Sequence, residues 1–448
     1  MKGERGLIAR HAGTVLVGQL AVMAFGVTDT IVAGRYSEGA LAALSVGAAI
    51  FISVFVSLMG VLQALLPVWA ELHGAGRGGE VGRSVRQSLY LAALAIAVGM
   101  ALLLLPGPAL RWTQVPPAMR GEVEAYLAVL AFALAPALLF RLFSTLNQSL
   151  GKPQLVTWLQ LGSLLVKLPL SVWFTFGGAG LPAMGLVGCG WATLCVNWAM
   201  LGCAVWLLRT SPFYLGYRLW ERIEMPDWHQ IAQFARLGVP AGLAVLVEVT
   251  SFTLMALFIA RLGTAAAAAH QIASNLLAVA YMVPLSLSIA TSARVSFWLG
   301  ADDPVQARRA CRTGFELAVL CALLFAGGMI GLRFELAGVY SDNPAVIALA
   351  GALLVAVAVY HFADALQTLC VFVLRSYRVT LMPLAIYCAL LWGVGLGGSY
   401  LLAYRGLGPW PAMQSPLAFW IMGAGALILT AVLFGGLLKW TMAHRARG

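Results

Sequence analysis

The seventeen residues Ala244–Ala260, AVLVEVTSFTLMALFIA, contain a single charge, Glu248. Asp364 is equally isolated in the apolar stretch LVAVAVYHFADALQTLCVFVL of residues 354–374. A charged side chain at a bilayer centre costs roughly 2.5–3.5 kcal/mol, so such residues point to function. Two carboxylates near one another can hold a proton or a hard cation in turn, because hard cations take oxygen ligands. A low dielectric also opposes ionising both acids at once. Glu248 and Asp364 are therefore the candidate cation-coupling residues, and the same two oxygen donors are the candidate ligands for a metal cation. Tyr360 lies one turn before Asp364 on the same helical face, where its ring can hold a cation from the side. In the first half the isolated charges are Asp29, Arg141 and Lys167.

The elements that carry these residues follow from composition. Of 448 residues, 61% are hydrophobic and 10% charged, far below the charge of a soluble domain. Twelve apolar runs long enough to span a membrane as helices fall near 8–34, 40–72, 84–106, 121–147, 154–176, 185–208, 229–260, 264–299, 311–332, 345–374, 379–402 and 417–440. No cleavage pattern follows the first run, so it is expected to remain as a helix. The net charge of +11 does not indicate nucleic acid, because its distribution follows the membrane. With twelve crossings, nineteen of the 28 Lys and Arg residues fall on the side of the N-terminus and six on the other, with Arg141, Lys167 and Arg294 inside. This asymmetry places both termini in the cytoplasm. The seven cysteines sit in apolar runs without a CxxC pair and read as packing residues.

The chain is also written twice. At an offset of 226 residues Arg10 meets Arg236, Arg35 meets Arg261, Gly74 meets Gly300, and Arg83 and Arg86 meet Arg309 and Arg312. Six spans per copy is an even number, so the copies enter from one side as parallel repeats, an arrangement found in secondary transporters. The expected organisation is a six-helix lobe over 1–208, a cytoplasmic linker over 209–228 and a second six-helix lobe over 229–448. The fold class is an all-α integral membrane protein with two pseudo-symmetric lobes.

Three blocks, VTDTIVAGRYSEGALAALSVG (27–47), VEVTSFTLMALFIARLGTAAAAAHQIASN (247–275) and FADALQTLCVFVLRSYR (362–378), resemble the multidrug and toxic compound extrusion family in its NorM-like branch. The resemblance spans the chain. It implies two lobes around a central cleft and cation-coupled efflux of organic cations, with the coupling cation bound by the acids of helices seven and ten, here Glu248 and Asp364. It further implies a role in proton or substrate coupling for Asp29, and a substrate-stacking aromatic in helix eight, here Tyr281. Two departures stand out. Val379 replaces an acid, and Lys167 and Ser171 occupy two helix-five positions that tend to be Asn.

Lys167 lies thirteen residues into its helix, about 20 Å from the start, too deep for easy snorkelling. The resemblance puts positions 167 and 171 beside Asp29. A pair of buried charges costs less than two isolated ones, so an Asp29–Lys167 ion pair is expected. Such a pair holds Asp29 charged and leaves proton or sodium coupling to Glu248 and Asp364. Asp342 could greet substrate at the outer mouth, although Asn343-Pro344 reads as a helix start. His270 and His361 read as hydrogen-bonded groups between helices. Gly393, Gly395 and Gly398 spell GxGxxG inside an apolar helix, where small residues mean close packing and not nucleotide binding.

The function expected from these residues is a sodium- or proton-coupled antiporter in the inner membrane, exporting bulky, often cationic compounds. It would work as a monomer, without a cofactor and without nucleic acid. The closest rival is a flippase for lipid-linked saccharides, which needs a cationic cavity for which only Arg141 and Lys167 are available. A membrane-embedded enzyme would need a nucleophile or metal cluster that the sequence does not offer.

Overall fold

The structure, a computed structural model, describes residues 3–112, 116–178, 180–406, 408–409 and 411–444. Lys2, Arg445 and Arg447, counted above among the basic residues, lie outside the described residues. Among the described residues, twelve helices are long and apolar enough to cross a membrane. They are α1 (Glu4–Tyr36), α2 (Glu38–Gly74), α3 (Gly78–Leu104), α4 (Met119–Ser149), α5 (Pro153–Phe176), α6 (Leu186–Thr210), α7 (Trp228–Ala260), α8 (Thr264–Gly300), α9 (Pro304–Gly331), α10 (Pro344–Ser376), α11 (Leu381–Tyr404) and α12 (Leu417–His444). Helices are the natural solution here, because each satisfies its own backbone hydrogen bonds where lipid offers none. Among the described residues the only extended pairing is an isolated bridge between Gly178 and Leu181.

Hydropathy locates the helices, but polar turns extend several of them. Helix α3 begins at Gly78 and α9 at Pro304, each about two turns before its apolar run. Asp303 caps α9 by accepting from the Gln306 N–H at 2.9 Å, which lets the Arg-rich first turns stay helical. The repeat is visible in the element bounds. Helices α2 and α8 start at 38 and 264 and end at 74 and 300, and α3 and α9 start at 78 and 304.

Contacts group the chain into two compact units, one of Met1–Leu16 with Leu243–Gly448 and the other of Val17–Gly242. The first is called unit 1 and the second unit 2. The boundaries fall inside α1 and α7, not in the connection 209–228, and specific bonds account for this. In unit 1, Glu4 of α1 accepts from Arg294 Nε at 2.8 Å and from Trp298 Nε1 at 3.0 Å, both on α8. In unit 2, the segment before α7 is clamped to α3. Arg86 Nε donates to Glu224 at 2.9 Å, Tyr90 donates to the Glu224 carbonyl at 2.8 Å, and Gln87 accepts from the Asp227 N–H at 2.9 Å. Helix α7 then leaves unit 2 in close contact with α2. A Cβ on Gly238 would meet the Val61 carbonyl oxygen at 2.7 Å, and one on Gly242 the Ser57 carbonyl oxygen at 2.6 Å.

Helix α11 is irregular, with a π-helical stretch over Cys388–Gly397 between two α-helical ends. Of the three glycines expected to pack closely, Gly395 and Gly398 do and Gly393 faces open space. A Cβ on Gly398 would meet Met422 Cε at 2.6 Å, and one on Gly395 the Ala426 Cβ at 3.3 Å, both on α12. All seven cysteines are free thiols.

Candidate functional site

In unit 1 Asp364 is buried and Glu248 half-buried, and the two carboxylates lie within electrostatic range of each other among oxygen-bearing side chains. Asp364, Gln367 and Thr368 share a face of α10 through the i, i+3, i+4 spacing. Gln367 is fully buried; its Nε2 donates to Asp364 Oδ1 at 2.7 Å and reaches Thr368 Oγ1 at 3.2 Å. The Gln367 carbonyl oxygen accepts from the Tyr387 hydroxyl on α11, which fixes the amide's orientation. Tyr281 on α8 lies close to the Thr368 side chain. Glu248 on α7 lies within electrostatic range of both Asp364 and Arg375. Tyr281, Tyr360 and Tyr387 sit in the field of both carboxylates.

Arg375 lies just past the end of the apolar run 345–374. It is in the last turn of α10, 5% exposed, with its guanidinium 4.5 Å from the Phe372 ring centroid. The fixed charges of the cluster, two acids and one guanidinium, sum to −1 when both acids are ionised. One monovalent cation or one proton neutralises it. Oxygen donors from Glu248, Asp364, Thr368 and Tyr281 suit a hard cation. No group of three or more His, Cys, Asp or Glu collects among the described residues, so a ligand set here depends on neutral oxygens beside the two carboxylates.

Tyr360 forms one wall of a cavity of about 40 Å³ with Ser251, Phe252, Met255, Ser399 and Phe419. Its ring meets Phe252 and Trp420 edge-on at 5.8 and 5.5 Å. Neither carboxylate lines this cavity; Tyr360, one turn before Asp364 on α10, connects the two.

In unit 2 the pair anticipated between α1 and α5 is present. Lys167 is fully buried, and its Nζ donates to Asp29 Oδ1 at 2.6 Å, Thr193 Oγ1 at 2.8 Å and the Cys189 carbonyl oxygen at 3.1 Å. All three ammonium hydrogens therefore have acceptors. Ser171 adds a donor to Asp29 Oδ1 at 3.3 Å. Thr193 and Cys189 belong to α6, so three helices build the site.

Other anticipated residues are placed differently. Asp342 is exposed and outside the cluster, with Asn343 capping α10 by accepting from the Ala345 N–H at 3.0 Å. At 1.5 Å per residue, Asp342 lies about 30 Å along the axis from Asp364. His361 does not fit the expectation of a hydrogen-bonded group. It is fully buried, neither ring nitrogen has a partner, and the ring packs edge-on to Phe325 at 6.0 Å. The aromatic neighbour fills its surroundings and offers no acceptor. His270 is half-satisfied, with Nε2 3.3 Å from Ser274 Oγ and Nδ1 unpaired.

Sequence reasoning missed Gln367, Thr368, Arg375 and Tyr387. The first two were detectable as polar residues at i+3 and i+4 from Asp364. Nothing local marks Tyr387, twenty residues further on.

A family model described as MatE matches residues 15–173 and 240–401. The chain is 38% identical to a probable multidrug resistance protein NorM of Aromatoleum aromaticum, over 98% of this chain and 94% of that one. It is 37% identical to the multidrug resistance protein PmpM of Pseudomonas aeruginosa, over 89% of this chain and 83% of that one. Among solved structures, the Vibrio cholerae MATE transporter VcmN in the bent form superposes with a TM-score of 0.85 at 18% identity, covering 98% of this chain and 97% of that one. A eukaryotic MATE transporter superposes at 0.86 with 20% identity and 98% coverage of both chains. The two structural likenesses share the fold.

Proposed function

Because the chain belongs to the MatE family, in its NorM-like branch, we propose that it is a cation-coupled antiporter exporting bulky, often cationic organic compounds. The observation that carries this reading is the pair of isolated carboxylates within transmembrane helices, buried Asp364 and half-buried Glu248, in electrostatic range of each other and of Tyr281 and Tyr360. It supplies the chemistry of coupling, an oxygen-rich site that either one proton or one sodium ion neutralises. In this reading Glu248, Asp364 and Tyr360 hold the coupling ion, Tyr281 stacks on substrate, and Asp342 receives substrate at the outer mouth. Asp29 joins through its charge, with Lys167 as the built-in cation that an incoming drug displaces.

The energetics suffice. One elementary charge crossing 100 mV releases about 2.3 kcal/mol, enough for roughly a fifty-fold gradient of a neutral compound. When a monovalent drug leaves as one cation enters, the electrical term cancels and the ion's concentration gradient drives export. The basic asymmetry of the connections favours cytoplasmic termini in the inner membrane. The flippase reading is weakened because Lys167 is engaged by Asp29.

The test is efflux of a fluorescent organic cation from proteoliposomes, with a proton gradient and a sodium gradient imposed separately. One gradient should drive export in the parent protein and fail to do so in Glu248→Gln and Asp364→Asn. Normal gradient-driven export by either variant would remove the coupling assignment.

A further inference from the structure

Each copy of the repeat places two arginines in the opening turns of its third helix, and the two copies treat them differently. Arg83 and Arg86 of α3 stand at the repeat positions of Arg309 and Arg312 of α9. In unit 2 both are held by acids of the connection 209–228. Arg83 Nη2 lies 3.7 Å from Asp227 Oδ2, and Arg86 reaches Glu224 at 2.9 Å and Glu221 at 3.4 Å, with its side chain 4% exposed. In unit 1 the Arg312 side chain is 84% exposed, and its partner Glu316 is shared with Arg5 of α1. Arg309 is exposed and, among the described residues, has neither an ion pair nor a hydrogen bond.

The difference follows from what comes after the sixth helix of each copy. The connection after α6 carries Glu221, Glu224 and Asp227, whereas residues 440–448, WTMAHRARG, carry His444, Arg445 and Arg447 and no acid. Asp302 and Asp303 precede α9, but Asp303 is turned to the Gln306 N–H and, among the described residues, neither forms an ion pair. Topology does not explain the open guanidinium groups, because Arg83 and Arg86 serve the same charge asymmetry while paired.

The setting is that of a membrane interface. Arg308, Arg309 and Arg312 occupy one face of α9, away from the buried Ala307, Ala310 and Cys311, and the apolar run begins among them at 311. Arg308 Nη2 donates to the Met442 carbonyl at 3.4 Å, which brings the start of α9 to the end of α12. Exposed Lys439 lies one turn before Met442, and beside it Trp440 is 59% exposed, at the level where tryptophans meet lipid headgroups.

We propose that Arg308, Arg309 and Lys439, with Trp440 as the apolar anchor, bind the phosphate of an anionic phospholipid, which supplies unit 1 with the negative charge that the acidic connection supplies to unit 2. Phosphate oxygens accept charge-assisted hydrogen bonds from a guanidinium fork, and Arg308 keeps donors beyond the one given to Met442. Two apolar helices end at this site, so a phosphate tethered by acyl chains is favoured over one free in solution. The inference is independent of the export reading.

Thermal unfolding of the full-length protein in detergent tests it, with phosphatidylglycerol, phosphatidylcholine or inorganic phosphate added. Phosphatidylglycerol should raise Tm, and the same amount of phosphatidylcholine or inorganic phosphate should not. Arg309→Gln should raise the half-saturating phosphatidylglycerol concentration about fivefold, and Arg308→Gln combined with it about twenty-five-fold. Arg309 has no bond to lose among the described residues, so the single variant reads binding and not folding. Arg222→Gln removes the same charge from an exposed position of the connection in unit 2 and should leave the titration unchanged. An equal rise with phosphatidylcholine would make the effect general solvation by lipid and overturn the proposal. A rise produced by inorganic phosphate alone would assign the site to a soluble anion and overturn it too. So would an unaltered titration in Arg309→Gln, or an equal loss in Arg222→Gln, which would reduce the effect to overall charge.

Discussion

Replacing Lys167 with methionine keeps the length of the side chain and removes its charge, leaving Asp29 alone in the interior of unit 2. Asp29 is 7% exposed and would retain only the 3.3 Å bond from Ser171 among the bonds its Oδ1 now accepts. The Cys189 carbonyl would keep the Thr193 hydroxyl, which donates to it at 3.0 Å, so the uncompensated carboxylate dominates the loss. Breaking a buried pair by removing one partner costs about 3–5 kcal/mol. For a unit of this size each kcal/mol moves Tm by about 2–4 °C, so Lys167→Met should lower Tm by about 6–20 °C. Asp29→Asn added to Lys167→Met leaves no charge at this site and should recover most of that loss, because contacting residues are not additive. The assay is thermal unfolding of the purified protein in detergent, for the parent, both single variants and the double variant. A Tm for Lys167→Met within about 2 °C of the parent, or losses that simply add, would refute the reasoning.

Further outcomes follow from other residues. Lys167→Asn frees Asp29 to exchange protons, so the pH profile of efflux should change, and a profile superimposable on the parent's counts against the pairing as a control on Asp29. Tyr387→Phe removes the donor that orients Gln367 beneath Asp364 and should raise the half-saturating concentration of the coupling ion about tenfold, with Tm little altered. Gly242→Leu forces a side chain onto the Ser57 carbonyl and should cost about 1–3 kcal/mol, read as a lower Tm, while full stability would show that α7 and α2 are not held so close. Glu224, in the connection before α7, has its carboxyl held down at about 2 by the Arg86 guanidinium. Its contribution is therefore complete above the ordinary value of 4.5 and is lost as pH falls toward 2. The Tm gap between parent and Glu224→Gln should be constant above about pH 5 and close on acidification, and a gap that widens there would contradict the pair.

The membrane class, the twelve helices and the doubling of the chain were legible because they depend on local properties. A helix must present apolar side chains to lipid along its whole length, and a duplicated unit keeps its helix spacing, so 38 and 264 both open a helix. The isolated charges were legible for the same reason, since lipid makes each one conspicuous. Even the Asp29–Lys167 contact was within reach, because a buried acid needs a buried cation and the family resemblance put position 167 beside Asp29. Only the tertiary structure decided which other groups surround them. Gln367 meets Tyr387 twenty residues away, Arg375 turns from the end of α10 into the interior, and His361 ends beside Phe325 with nothing to bond. Those outcomes depend on how each helix is rotated and where its neighbours cross. Hydropathy leaves that rotation free, because an uncharged polar side chain inside a long apolar helix costs little enough to face either way.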